Sequence, residues 1–199
     1  MDLAPGYFDA LFRGNDDPWA FKSRWYEARK RAITLAVLPH PRYASAYEPG
    51  CANGELSAAL ATRCERLLVS DGNERAVALA RARLAGCANT RVVRAAMPTE
   101  WPDETFDLVV LSEIGYFLSA ADLDTVTARV RAGLNPGGTV VACHWRRPID
   151  GCDMGGDVVN ERIGRGLALP HLSGVLEADF RLDVWTEVAR SVAQREGLS

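Results

Sequence analysis

The chain has 199 residues, of which 48% are apolar and 25% charged, and its formal net charge is −3. That length supports one globular domain with a sizeable core, and the slight acidity supplies no basic field to gather nucleic acid. The opening "MDLAPGYFDALFRGNDDPW" lacks the cationic head and apolar run of a secretory signal, and no stretch is long and apolar enough to cross a bilayer. A cytoplasmic protein acting on a small molecule, with neither membrane nor nucleic-acid partner, is therefore expected; nothing in the sequence speaks to its oligomeric state. The five cysteines are odd in number and never spaced C-x-x-C, which argues against both a disulfide framework and a metal site.

In chain order, Asp17 and Pro18 of "DDPW" suit a helix start, and a helix is predicted from about Trp19 to Leu38, stopped by the prolines of "LPHPRY". From there the chain alternates. "ASAYEP", "RLLVSD", "TRVVRA", "FDLVVLSE" and, after the turn "NPGG", "GTVVACHW" read as strands. The helices between them are "GELSAALATRC", "NERAVALARARLAG" and "AADLDTVTARVRAGL". Short β-rich runs separated by amphipathic helices imply parallel strands with right-handed crossovers, hence a doubly wound α/β sheet. Beyond Trp145 the pattern changes to a loop "RRPIDGCDMGG", a helix "DVVNERIGRGLA" and two strand-like pieces in "HLSGVLEADFRLDVWTEV", read as an antiparallel edge hairpin, with "ARSVAQREGLS" as a frayed tail.

In such sheets the loop after the first strand is the usual ligand contact. Here it reads "EPGCANGE". A dinucleotide fingerprint aligned from Gly50 fails at Ala52 and Glu55, and a phosphate would be repelled by Glu48. A ligand bearing a sulfonium and an ammonium reverses that argument, because a carboxylate in a partly dry cleft attracts it. S-adenosylmethionine is such a ligand. Gly50 and Gly54 leave the main chain bare for it, and Asp71, at the end of the second strand, is placed to accept both ribose hydroxyls. The competing reading makes Asp71 the cap of the following helix and Glu48 a solvated charge.

The segments "EPGCANG", "LLVSD", "WPDETFDLVVLSE" and "LNPGGTVV" resemble the motifs of the class I S-adenosylmethionine-dependent methyltransferases. More narrowly, "YFDALF", "DPWAFKSRWYEARKRAITLAVLP", "LSEIGYFL" and "CHWRRP" make the chain similar to the nodulation-protein-S type of N-methyltransferase. The resemblance implies a Rossmann-like sheet and methyl transfer, with nitrogen as the expected acceptor and oxygen or carboxylate methylation, or a non-catalytic cofactor-binding module, as alternatives. Two positions depart from the pattern: Ala52 stands for the middle glycine, and Ala95 for the aspartate that usually receives the adenine amino group, so backbone near Ala96 and Met97 plus apolar contact is expected to hold adenine.

An amine is protonated at neutral pH, so a proton acceptor is wanted. Glu113 and His144, at the ends of the fourth and fifth strands, are the candidates; a salt bridge for Glu113 and a hydrogen-bonded strand-end role for His144 are the alternatives. Tyr116 and Phe117 read as pocket lining or as packing beneath the loop. In the N-terminal helix, Tyr26 and Lys30 share a face, so Lys30 is expected to meet the methionine carboxylate while Trp19 covers the ligand; Trp25 reads rather as core, and the rest of "RWYEARKR" as a solvated face. The cofactor set is thus Trp19, Tyr26, Lys30, Glu48, Gly50, Cys51, Ala52, Gly54, Asp71, Gly72, Ala96, Met97 and Ser112. One domain is expected, with a helical lid over 1–43, a cofactor-binding core over 44–145 and a C-terminal helix with edge strands over 146–199.

Overall fold

Strand Phe106–Ser112 (β4) shows why this sheet must be covered on both sides. Leu108 and Val110 point into one apolar cluster with Leu60, Leu67, Val69 and Phe180, while Val109 and Leu111 point into another with Leu123, Val126 and Ile163. Successive side chains leave a strand on opposite faces, so an uninterrupted apolar run demands two cores. Each fully buried Leu or Val contributes about 1.5–3 kcal/mol of burial.

The computed structural model describes residues 6–198; residues 1–5 and 199, which the expected lid and C-terminal portions include, lie outside them. The other parallel strands are Tyr43–Pro49 (β1), Cys64–Asp71 (β2), Thr90–Arg94 (β3) and Leu134–Trp145 (β5). His171–Leu176 (β6) and Phe180–Thr186 (β7) complete a seven-stranded sheet of order β3-β2-β1-β4-β5-β7-β6. β1 through β5 run parallel, β7 runs antiparallel to β5 and β6 antiparallel to β7, which gives the doubly wound, mostly parallel sheet with an antiparallel edge hairpin that the alternation implied. The strand order reverses between β1 and β4, opening a crevice at their carboxyl ends.

Helices Trp25–Ala36 (α2), Glu55–Ala61 (α3) and Glu74–Arg83 (α4) stand with the first cluster, and Ala120–Ala132 (α5) and Gly156–Leu167 (α6) with the second. The ends of α4 and α5 follow from their sequences. Asn73 accepts from the amides of Arg75 and Ala76, Ser119 accepts from Asp122, and arginines occupy both last turns. No helix among the described residues is long and apolar enough to cross a membrane.

Four local expectations need correction. The helix expected from Trp19 begins at Trp25, because Ala20 takes a left-handed φ of 57° and the Asp17 carboxylate caps a turn through the amides of Phe21 and Lys22. A short helix, Tyr7–Phe12 (α1), precedes it. The "NPGG" turn is absorbed into β5 as an irregularity: pairing passes from Phe106↔Leu134 to Leu108↔Thr139, and Asn135 anchors the excursion on Asp107 at 2.9 Å. The tail carries one turn, Val192–Arg195 (α7), held by a reciprocal capping box between Ser191 and Gln194.

Candidate active site

A cavity of about 1210 Å³ lies over the carboxyl ends of β1, β2 and β4, roofed by the N-terminal segment. It exceeds the roughly 300–1,000 Å³ of a pocket for one drug-sized ligand, so it has room for two partners side by side.

Its floor is the loop after β1. Gly50 takes φ 73°, and a Cβ there would lie 2.3 Å from Ile114 Cγ2, so only glycine lets the loop pass under the segment after β4. Ala52 keeps a left-handed φ of 47°, the conformation that the missing glycine would adopt freely. Cys51, Ala52 and Asn53 line the cavity. Gly54 does not: its Cα faces α4, where a Cβ would lie 3.1 Å from Ala80 Cα, so its smallness serves helix packing and the expected ligand contact is corrected.

Glu48 ends β1 buried, and its Oε2 has no hydrogen-bond partner. Burial pushes its carboxyl up to about 8; the neighbouring Ser57 works against this and the Asp71 charge adds to it. Ser57 Oγ itself makes no bond of ordinary geometry. An unpaired acid at the wall of a cavity is a costly arrangement that an incoming donor would relieve. Asp71 faces it across the loop. Oδ2 accepts from Ala52 N at 3.0 Å and Oδ1 from Asn73 N at 2.9 Å, leaving each oxygen further acceptor capacity. Burial raises its pKa, opposed by those amides. The helix cap is Asn73, not Asp71.

Gly72, Ala96, Met97 and Ser112 also border the cavity. The main chain of Ala96 is closed off, however: its N–H donates to Glu100 Oε2 at 2.7 Å and its carbonyl accepts from Glu100 N at 2.8 Å. The expectation that Ala96 backbone serves adenine is corrected accordingly; what it and Met97 present is apolar surface.

The N-terminal segment is strapped across the top. Asp17 Oδ1 accepts from Asn53 Nδ2 at 2.9 Å, Asp9 from Asn73 Nδ2 at 2.7 Å, and Asp16 grips Arg75. Trp19 lines the cavity, stacked on Phe21 at 5.4 Å, and the Tyr26 hydroxyl is buried without a partner. Trp25, read as core, is 77% exposed: it starts the helix on the side away from the sheet.

Lys30 departs most from expectation. Its ammonium sits 2.7 Å from Glu113 Oε1, 3.1 Å from Glu27 Oε2 and 5.0 Å from the Tyr26 ring centroid. Burial would lower its pKa, but the charges of Glu113 and Glu27 outweigh this and hold it above the ordinary lysine value. With two carboxylates already around it, Lys30 has no net positive field left for a third, and its assignment to a methionine carboxylate is corrected. The expected solvated face is also revised: Glu27 is buried and Arg31 lines the cavity, its Nη1 donating to Phe21 O at 2.8 Å and the other guanidinium N–H groups left to bind an anion.

Glu113 follows β4 with a left-handed φ of 59°. Besides Lys30 it receives the Tyr116 hydroxyl and, at 3.1 Å, the Trp145 amide on Oε2. Three donors, two of them on Oε2 and one a paired ammonium on Oε1, make it an anchor of the site rather than an available base. His144 is 0% exposed and outside the cavity. Nε2 accepts from Gly115 N at 3.0 Å, so Nδ1 carries the proton and donates to Asn160 Oδ1 at 2.7 Å. Burial lowers its pKa, holding it neutral. Its candidacy as proton acceptor is corrected: strand alternation turns it toward α6 while Trp145 takes the cavity side. Tyr116 and Phe117 both line the cavity. Glu27, Arg31 and the Asp17–Asn53 strap were missed; the heptapeptide "YEARKRA" alternates charge as an exposed helix would, and only the fold reveals what covers it.

The chain is similar to known proteins in sequence and in fold. Residues 46–138 match the methyltransferase domain family. "Nodulation protein S" of Rhizobium tropici is 32% identical over 128 residues, 63% of this chain and 54% of that protein, so the chain spans about half the length of the curated relatives it matches. A crystal structure of a Pseudomonas syringae protein provisionally named a methyltransferase is 47% identical, with a TM-score of 0.74, and covers 82% of this chain and 99% of that one. The fold is also that of the N-methyltransferase NodS from Bradyrhizobium japonicum WM9, solved with S-adenosyl-L-homocysteine, at TM-score 0.77 and 24% identity over 90% of this chain and 97% of that one. On this similarity the chain belongs to the methyltransferase domain family.

Proposed function

We propose that this protein is an S-adenosylmethionine-dependent methyltransferase that moves a methyl group to an amine nitrogen of a small molecule. The observation that carries the reading is Glu48, a buried carboxyl with an unpartnered oxygen beside the bare turn at Gly50, faced by Asp71. A pyrophosphate would meet the Asp71 charge and leave the Glu48 oxygen without a donor, whereas a cation that bears a ribose draws the Glu48 proton off and offers donors to both acids.

Asp71 would hold the ribose hydroxyls; Gly72, Met97 and the side chain of Ala96 the adenine; Glu48, Gly50, Cys51, Ala52 and Ser112 the methionine end, with its carboxylate toward Arg31. Trp19 and Tyr26 cover it from the lid, residues 1–43, over the core of 44–145, with 146–199 completing the sheet edge. Bound there, the cofactor supplies an activated methyl on a sulfonium, displaced in line by the acceptor's lone pair as the C–S electron pair stays on sulfur. The chain's contribution is to position that acceptor and to keep water out, and orientation alone is worth up to about 7–11 kcal/mol in well-aligned cases. The strapped N-terminal segment excludes water. Glu113, held by Lys30, Tyr116 and the Trp145 amide, fixes the segment after β4 along which the acceptor lies.

Calorimetry with S-adenosylhomocysteine tests this reading, with Asp71→Ala as control. Measurable affinity weakened by at least about tenfold in the variant is expected. No binding to the wild type, or tighter binding of NADH, would overturn it.

A further inference from the structure

Of the carboxylates that line the cavity, Glu27, next to Tyr26, and Glu113 and Asp122, which flank Tyr116 and Phe117 along the chain, border its aromatic side. Asp122 takes the Ser119 hydroxyl at 2.8 Å and is half-buried, and Glu113 is shared among three donors, the Lys30 ammonium, the Tyr116 hydroxyl and the Trp145 amide, whereas Glu27 is buried with Lys30 as its one donor group among the described residues. Glu27 differs. Its oxygens straddle Lys30 Nζ at 3.2 and 3.1 Å, and no other donor reaches them among the described residues, so both keep acceptor capacity. The groups facing Glu27 are Lys30 and Arg31 on its own helix and Glu113 after β4, with the Tyr26 hydroxyl near them. Burial raises its pKa, Lys30 pulls it down and Glu113 pushes it up.

The wall continuing from this cluster is aromatic. Tyr116 is bonded to Glu113 and meets Phe117 edge to face at 4.7 Å; Phe117 in turn meets Phe8 at 5.1 Å and Tyr7 at 6.1 Å, and Trp145 meets Tyr26 at 5.7 Å. Rings at these separations offer edges and faces to another ring, and their faces attract a cation.

We infer that the acceptor is a small arylalkylamine, an aliphatic amine that carries an aromatic ring, and that Glu27 receives its ammonium group. The inference rests on the methyltransferase reading. Glu27 holds the ammonium by charge and hydrogen bond and takes one proton from it. The freed lone pair then forms the N–C bond as the C–S bond of the sulfonium breaks, with its electron pair left on the thioether sulfur. The aromatic wall holds the acceptor's ring.

The test uses the full chain with labelled S-adenosylmethionine, benzylamine and 2-phenylethylamine as probes, benzyl alcohol and 2-phenylethanol as neutral counterparts, and glucosamine as an amine without an aromatic ring. S-adenosylhomocysteine affinity is measured alongside. The arylalkylamines are expected to be methylated in preference to glucosamine, and the alcohols not at all. Glu27→Gln leaves the Lys30–Glu113 pair in place and lowers kcat/KM for the amines by on the order of tenfold to a hundredfold, the loss of one charged hydrogen bond. That deficit shrinks as pH rises through the amine's own titration, where the free base needs no acceptor, and S-adenosylhomocysteine affinity stays within about twofold. Should the variant fail to fold, Phe117→Ala is expected to raise KM for 2-phenylethylamine more than for glucosamine; an equal effect counts against the inference. A Glu27→Gln enzyme that loses S-adenosylhomocysteine affinity in the same proportion would assign Glu27 to the cofactor and overturn it. So would preference for an alcohol or glucosamine, or cofactor-product binding without turnover of either arylalkylamine. Failure of the wild type to bind S-adenosylhomocysteine defeats the methyltransferase reading itself and this inference with it.

Discussion

Replacing Glu48 with Gln keeps the side chain's shape and removes its titration. Burial pushes this carboxyl from 4.5 up to about 8, so about nine-tenths of it is protonated at pH 7 in the ligand-free protein, whereas the unfolded chain is ionised there. The native state therefore binds more protons. The stability that Glu48 permits is fully present below 4.5, falls as pH rises toward about 8, and is level beyond. The difference of 8 − 4.5 = 3.5 units corresponds to about 5 kcal/mol as an upper figure. Thermal or urea unfolding of wild type and Glu48→Gln side by side should show the variant gaining relative stability across that window and no further above it. The ligand half of the prediction is sharper. A bound ammonium favours the carboxylate, so binding of S-adenosylhomocysteine at pH 7 releases close to one proton, at a cost of about 1.4 kcal/mol that falls to about 0.4 kcal/mol at pH 8 and vanishes by about pH 9. Calorimetry in two buffers of different ionisation heat counts that proton. Glu48→Gln should release none and bind at least about tenfold more weakly at pH 8. An identical proton count in the two proteins, or wild-type affinity that ignores pH between about 6 and 8, refutes the reasoning.

The other expectations concern the groups around this loop. His144→Ala strips partners from the Gly115 amide and Asn160 Oδ1 in a closed interior, and should cost about 3–5 kcal/mol in urea unfolding. The pH profile of its turnover should match the wild type's; a lost ionisation in that profile would restore His144 to the mechanism. Gly50→Ala brings a Cβ to 2.3 Å from Ile114 Cγ2 at φ 73°, and a loss of about 2–4 kcal/mol is expected. Adding Ile114→Ala should recover only part of it, since the backbone strain persists; full recovery would mean that the clash was the whole effect. Asp17→Ala removes a turn cap and the strap to Asn53 together, and should cost about 1 kcal/mol of stability. Its larger effect should be faster release of S-adenosylhomocysteine in stopped flow, and an unchanged release rate would deny the lid its role.

Much of the fold was legible because its signals are short-range. The alternation of apolar strands with helices depends on neighbours within a few residues, and it led directly to the doubly wound, mostly parallel sheet with its antiparallel edge hairpin; the order of the strands within that sheet came from the structure. The expected helix from Trp19 failed for a reason of the same local kind, a side-chain cap at Asp17 that closed a turn and let the chain bend at Ala20 before α2 could start. The site was legible only where a residue's place follows from its element. Glu48 and Asp71 stand at strand ends, and a strand end in a parallel sheet faces the crevice by construction.

What the sequence determined by itself, then, is the architecture and the acidic, glycine-bearing loop at its switch point. What only the tertiary structure decided is the partnership of groups far apart along the chain. Lys30 meets Glu113 across 83 positions and so is neutralised, His144 turns from the crevice to Asn160, and Glu27 is left with lone pairs to spare. Such pairings depend on how helices settle on the sheet, because a charge is free or bound according to what lies within about 4 Å of it, and no local pattern encodes that distance.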